Sequence, residues 1–141
     1  MKKTLLALFA AAALAPAAVM TARAETPAPP PATHEVKMIL DGTSARFEPA
    51  NLTIRAGDRI RFTTVSGGPH NVAFDPAKVP DAAEARLGAA MAGQIQPLSG
   101  ALMMNAGDSY TIAFAGVPAG RYEYFCMPHA GMNMKGVITV Q

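Results

Sequence analysis

The strongest constraint on this chain is a succession of short runs of alternating hydrophobic and polar residues, each closed by Gly, Pro, Asn or Asp. "HEVKMIL" (34–40) stops at Asp41-Gly42, "NLTIR" (51–55) at Ala56-Gly57-Asp58, and "RIRFTTV" (59–65) at Ser66-Gly67-Gly68-Pro69. "HNVAF" (70–74), "SYTIAFA" (109–115), "RYEYFC" (121–126) and "GVITV" (136–140) follow. A period of two with turn residues between runs specifies half-buried strands, and about seven or eight of them suit two packed antiparallel sheets. The expected fold is an all-β Greek-key sandwich. In 59–65, Ile60, Phe62 and Thr64 share the inner face, while Arg59, Arg61 and Thr63 share a solvated one.

One segment breaks the pattern. Asp75 to Gly100 is a long excursion in which "DAAEARLGAAMAG" (81–93) follows Pro80 and is rich in alanine. One or two helical turns are expected there, limited by Gly88 and Gly93.

The N-terminus has a different purpose. Lys2 and Lys3 precede an apolar run from Leu5 to Val19, and Ala22-Arg23-Ala24 is a small-x-small cleavage site. Residues 1–24 therefore read as a signal peptide, the run being shorter than the roughly 20 residues of a spanning helix. Its removal leaves 117 residues with nine basic against ten acidic side chains, a net charge of −1. Such a domain offers no electrostatic footprint for nucleic acid or an anionic membrane. "ETPAPPPAT" (25–33) is a proline-rich linker, and one folded domain is expected over 34–141.

A single cysteine in an exported chain excludes an internal disulfide and leaves a thiol to be protected. Cys126 lies in "YFCMPHAGMNMKG" (124–136), where Cys126-x-x-His129 puts a thiolate and an imidazole on one tight turn with Pro128 between them. "GGPHNV" (67–72) supplies His70, and Met132 and Met134 follow in the terminal loop. A cysteine, two histidines and a weak thioether form the donor set of a blue-copper centre. His34, at the start of the first run, has no companion in sequence and reads as an ordinary exposed histidine.

These residues resemble the small blue-copper proteins, or cupredoxins, most of all plastocyanin, with pseudoazurin and amicyanin next. The resemblance rests on "FEPANLTIRAGDRIRF" (47–62), "GPHNVAFD" (68–75) and "YEYFCMPHAGMNMKGVITV" (122–140), and runs from about Val36 to Val140. It implies one copper per chain, bound by His70, Cys126 and His129 with a distant axial methionine. The Cys-x2-His-x4-Met spacing and the following "KGVITV" select Met134 over Met132. It implies that Asn71 ties the ligand loops together by hydrogen bonds near the sulfur. Pro128, having no N–H, donates nothing to that sulfur. The activity implied is a single-electron shuttle, not an enzyme, with His129 as the port inside an apolar collar of Gly68, Pro69, Ala130, Gly131 and Met132. Transient redox partners, a monomeric state and a periplasmic location go with that reading. Phe125 replaces the tyrosine of plant plastocyanins, and only Asp81 and Glu84 punctuate 81–93, so the acidic docking patch of those relatives is absent. The alternative is a periplasmic copper carrier or resistance protein, with Met103-Met104 and Met127 or Met132 making a second Cu(I) site.

Overall fold

A computed structural model describes residues 27–141; the expected signal peptide and the first residues of the linker lie outside the described residues. Among the described residues eight strands form two four-stranded sheets. They are β1 (Thr33–Asp41), β2 (Ser44–Glu48), β3 (Asn51–Ile54), β4 (Arg59–Thr64), β5 (Ala73–Phe74), β6 (Ser109–Ala113), β7 (Gly120–Phe125) and β8 (Lys135–Val140), with one helix, α1 (Asp81–Ala90). One sheet has the order β2-β1-β4-β6 and the other β3-β8-β7-β5.

The sheets are mixed rather than antiparallel as the sequence suggested. β1 lies parallel to β4, and β3 parallel to β8. The cause is β2, a strand not anticipated from the sequence. Gly42, at φ 58°, turns β1 into a two-residue loop, and β2 pairs back along β1 with Asp41 opposite Ser44. The chain then crosses to the second sheet as β3, so β4 re-enters the first sheet in the direction of β1. A further difference concerns 70–74, where only Ala73–Phe74 is regular strand and His70 meets Met103 in an isolated bridge. Helix α1 has ten residues, about three turns, longer than expected, and buries Ala83 and Leu87 against the core. Gly88 is accommodated inside it, where even a Cβ would meet only Leu98 Cδ2 at an ordinary contact distance of 3.8 Å.

Alternation sets the core. Along β4 Ile60, Phe62 and Thr64 are buried while Arg59 and Arg61 are exposed, as the pattern predicted. Tyr124 of β7 packs against Phe47 at a centroid distance of 4.6 Å, Phe62 at 5.6 Å and Phe74 at 6.4 Å. Its hydroxyl donates to the Ala50 carbonyl at 3.0 Å. Cys126 is two residues further along, so this aromatic cluster backs the pole of the sandwich that carries the cysteine.

The opposite pole is closed by Asp58. Its buried carboxylate accepts from the backbone N–H of Ala32 (2.8 Å) and of Arg55 (3.0 Å), and pairs with His34 Nε2 at 2.9 Å. His34 is therefore not solitary: its partner stands 24 positions away in sequence, which no local reading reveals. Arg55 also donates to the Pro30 carbonyl at 3.3 Å, so the end of the proline-rich segment is fastened to the domain, and Thr33 already belongs to β1. The nine residues of β1 separate this pole from the cysteine end by about 30 Å.

Candidate metal centre

Three loops converge at the cysteine pole. The first runs from β4 through Ser66 to His70; the second leads from the helical excursion to Met103; the third joins β7 to β8 and carries Cys126, His129 and Met134. The first two are laced by paired backbone bonds, His70 N–H to Met103 carbonyl at 2.9 Å and Met103 N–H to His70 carbonyl at 2.8 Å. Gly68 permits the approach, since a Cβ there would stand 2.5 Å from the Met104 carbonyl oxygen. In the third loop Cys126 N–H donates to the Met134 carbonyl at 3.0 Å, and Asn133 turns the chain into β8 at φ 58°.

The donor atoms are close. His70 Nδ1 is 3.7 Å and His129 Nδ1 3.5 Å from Cys126 Sγ, and one ligand atom from each residue lies within 4.8 Å of the others. Nitrogen and sulfur donors about 2.0–2.3 Å from one ion in a trigonal plane stand about 3.6 Å apart. The side chains thus match the spacing a small soft ion needs.

Protonation points the same way. The Ser66 carbonyl is 2.8 Å from His70 Nε2 and only accepts, so that nitrogen carries the proton and Nδ1 presents its lone pair toward the sulfur. Burial pushes the Cys126 thiol up, against the pull of the Asn71 and His129 backbone N–H groups. His129 is held below the usual histidine range by burial and then by the neighbouring His70. A buried thiol beside two imidazoles is a competent ligand set, which a metal would complete by displacing the thiol proton.

His70 and Cys126 have no exposed surface and Met134 is 1% exposed, whereas His129 is 7% exposed. Met132, the other methionine of the loop, is 44% exposed. Asn71 is fully buried: its backbone N–H lies 3.5 Å from Cys126 Sγ, its Oδ1 accepts from Met127 N–H at 2.8 Å, and its Nδ2 donates to Ser99 Oγ at 3.0 Å and the Gly100 carbonyl at 3.3 Å. Pro128 is exposed between the two ligand-loop residues. Ser66 and Ser99 were not singled out in the sequence, because a serine that bonds to a distant loop carries no local signature. Of the methionines considered for a second Cu(I) site, Met103 is buried and Met127 Sδ accepts hydrogen bonds from Ser99 Oγ and Gln96 Nε2, leaving Met104 and Met132 exposed.

An eight-stranded sandwich with a buried His-Cys-His cluster at one pole defines a cupredoxin, a copper protein of the blue type. The chain belongs to the family of copper binding proteins of the plastocyanin/azurin type, which its residues 34–141 match. It is 41% identical to a plastocyanin of Nostoc punctiforme over 117 residues, 82% of this chain and 79% of that one. Among solved structures it is similar to the oxidized plastocyanin of Dryopteris crassirhizoma, with 28% identity, a TM-score of 0.58, and coverage of 76% of this chain and 99% of the other. A pseudoazurin from Sinorhizobium shares 26% identity at a TM-score of 0.51, covering 78% and 74% of the two chains. The family is one of electron carriers with a His, Cys, His and Met ligand arrangement, and the residues here fit a single type 1 copper centre.

Proposed function

We propose that this chain is an exported, periplasmic single-electron carrier and not an enzyme, whose copper would be held by His70, Cys126, His129 and Met134. The observation that carries this reading is the buried convergence of two imidazole Nδ1 atoms on one thiol at 3.5 and 3.7 Å, beneath a surface reached by one histidine edge. Copper supplies a Cu(II)/Cu(I) couple that a thiolate and imidazoles both tolerate.

The protein's part is to hold the donors still. Ser66 fixes the tautomer and orientation of His70, and Asn71 aims a backbone N–H at the sulfur from a side chain anchored in two other loops. β7 and β8, paired from Gly120–Val140 to Phe125–Lys135, brace both ends of the loop that carries Cys126, His129 and Met134. Groups positioned in this way move little when the charge changes, and burial keeps water from taking a ligand position.

Electrons enter and leave through the edge of His129. The collar would be made by Gly68, Pro69, Ala130, Gly131 and Met132, joined by Met104, which is 58% exposed and whose backbone carbonyl lies against Gly68. A small apolar collar suits a brief encounter with a redox protein, for which interfaces at the low end of the size range are typical. Among the described residues no helix is long and apolar enough to cross a membrane. Ala32 and Gln141 are both fastened near the Asp58 pole, at the far end of the sandwich from the His129 edge.

The test is Cu(II) titration of the purified mature protein, followed by visible absorption and voltammetry. An intense blue charge-transfer band saturating at one copper per chain, with a reversible one-electron wave, supports the reading. Weak colour with two or more metals bound refutes it in favour of a copper carrier.

A further inference from the structure

We propose that Ser99 and Met127 act as a latch that positions the hydrogen-bond network on Cys126, making both of them positioning residues for electron transfer; the inference rests on the copper-site reading above. Met127 follows the cysteine directly, yet its side chain turns away from the donor cluster and its sulfur meets the Ser99 hydroxyl at 2.8 Å and Gln96 Nε2 at 3.3 Å. A thioether only accepts, so Ser99 spends its single proton on Met127 Sδ. Its oxygen must then accept from Asn71 Nδ2, 3.0 Å away. The Asn71 amide is oriented independently: Met127 N–H donates at 2.8 Å, so that atom is Oδ1, and Nδ2 faces Ser99 and the Gly100 carbonyl.

Every direction in this ring is thereby fixed. It runs from the Asn71 amide to Ser99 Oγ, on to Met127 Sδ, and back through the Met127 main chain to Asn71 Oδ1. Asn71 and Ser99 have no exposed surface, so water does not compete for these bonds. The ring joins the His70 loop, the end of the helical excursion and the cysteine loop. Its output is the placement of the Asn71 N–H 3.5 Å from Cys126 Sγ, a contact whose strength depends on the charge on sulfur and so differs between the two oxidation states.

The excursion over 75–100 therefore has a role at the copper site as well as in the core. Loss of either partner removes the same link, the Ser99–Met127 bond, and the effects of residues in one network do not add. The distinguishing experiment is a double-mutant cycle on the copper-loaded protein, reading reduction potential and the position of the charge-transfer band. Ser99→Ala and Met127→Leu are each expected to move both readouts in the same direction, Ser99→Ala the further because it also removes the acceptor of Asn71 Nδ2, and the double variant to move them no further than Ser99→Ala alone.

Met127 is half-buried and leucine preserves its bulk, so this variant folds even where Ser99→Ala is poorly stable. Unchanged potential and spectrum in Met127→Leu, or shifts that add in the double variant, overturn the latch. Failure of the parent protein to give a blue band at one copper per chain would instead overturn the site reading, so the two failures are separable.

Discussion

Replacing Asn71 by alanine in the metal-free protein tests whether the buried amide is what joins the three loops. The side chain has no exposed surface and makes three hydrogen bonds, to Met127 N–H, Ser99 Oγ and the Gly100 carbonyl. Ser99 loses a donor but keeps its bond to Met127 sulfur, so its deficit is small. The Met127 N–H and the Gly100 carbonyl lose these partners, at about 1–3 kcal/mol each when the group is left without one. Water entering the vacated space finds the same three polar groups and recovers part of that. The net expectation is a loss of about 2–4 kcal/mol. In urea denaturation followed by circular dichroism the midpoint should fall by about 1–2 M with an unchanged slope, for a domain whose m-value is near 2 kcal/mol/M. A loss below about 1 kcal/mol would refute the argument, because it would mean that these backbone groups find equivalent partners without Asn71.

Three further expectations concern the copper site and the far pole. Pro128→Ala restores a backbone N–H two residues after Cys126, and a hydrogen bond from it to the sulfur should raise the reduction potential by favouring the more electron-rich Cu(I)-thiolate; voltammetry showing an unchanged or lower potential contradicts this. Met134→Leu should raise the potential through loss of the thioether proposed as a ligand, while Met132→Leu, at a position 44% exposed, should leave the potential and the visible spectrum as they were; the opposite pattern assigns that role to Met132. The hydrogen bond from His34, then the N–H groups of Ala32 and Arg55, hold the Asp58 carboxyl well below the usual carboxylate value of 3.8. Its folded pKa being depressed, its contribution to stability is full above about pH 4 and is lost as pH falls toward the folded value. The stability gap between the parent protein and Asp58→Asn in urea should therefore narrow from pH 5 to pH 2, and a gap that is constant or widens toward acid would count against the clasp.

What the sequence determined by itself rests on neighbours along the chain. Strand identity follows from a period of two, as Ile60, Phe62 and Thr64 against Arg59 and Arg61 illustrate, because alternate side chains of a pleated strand face opposite ways. The donor set was legible because soft and borderline ligands are few in this chain: one cysteine and three histidines leave little choice once a thiolate and two imidazoles are required. Tertiary structure decided the rest. β2 escaped notice because only Ala45 and Phe47 mark its inner face before Pro49 ends it, and its presence is what makes the sheets mixed. Asp58 finds His34 across 24 residues, Asn71 finds Met127 across 56, and Ser99 finds Met127 across 28. Such pairs are specified by which loops the sheet order brings to the same pole. Hydrogen bonds act over about 3 Å in space, whereas periodicity and spacing report only distance along the chain.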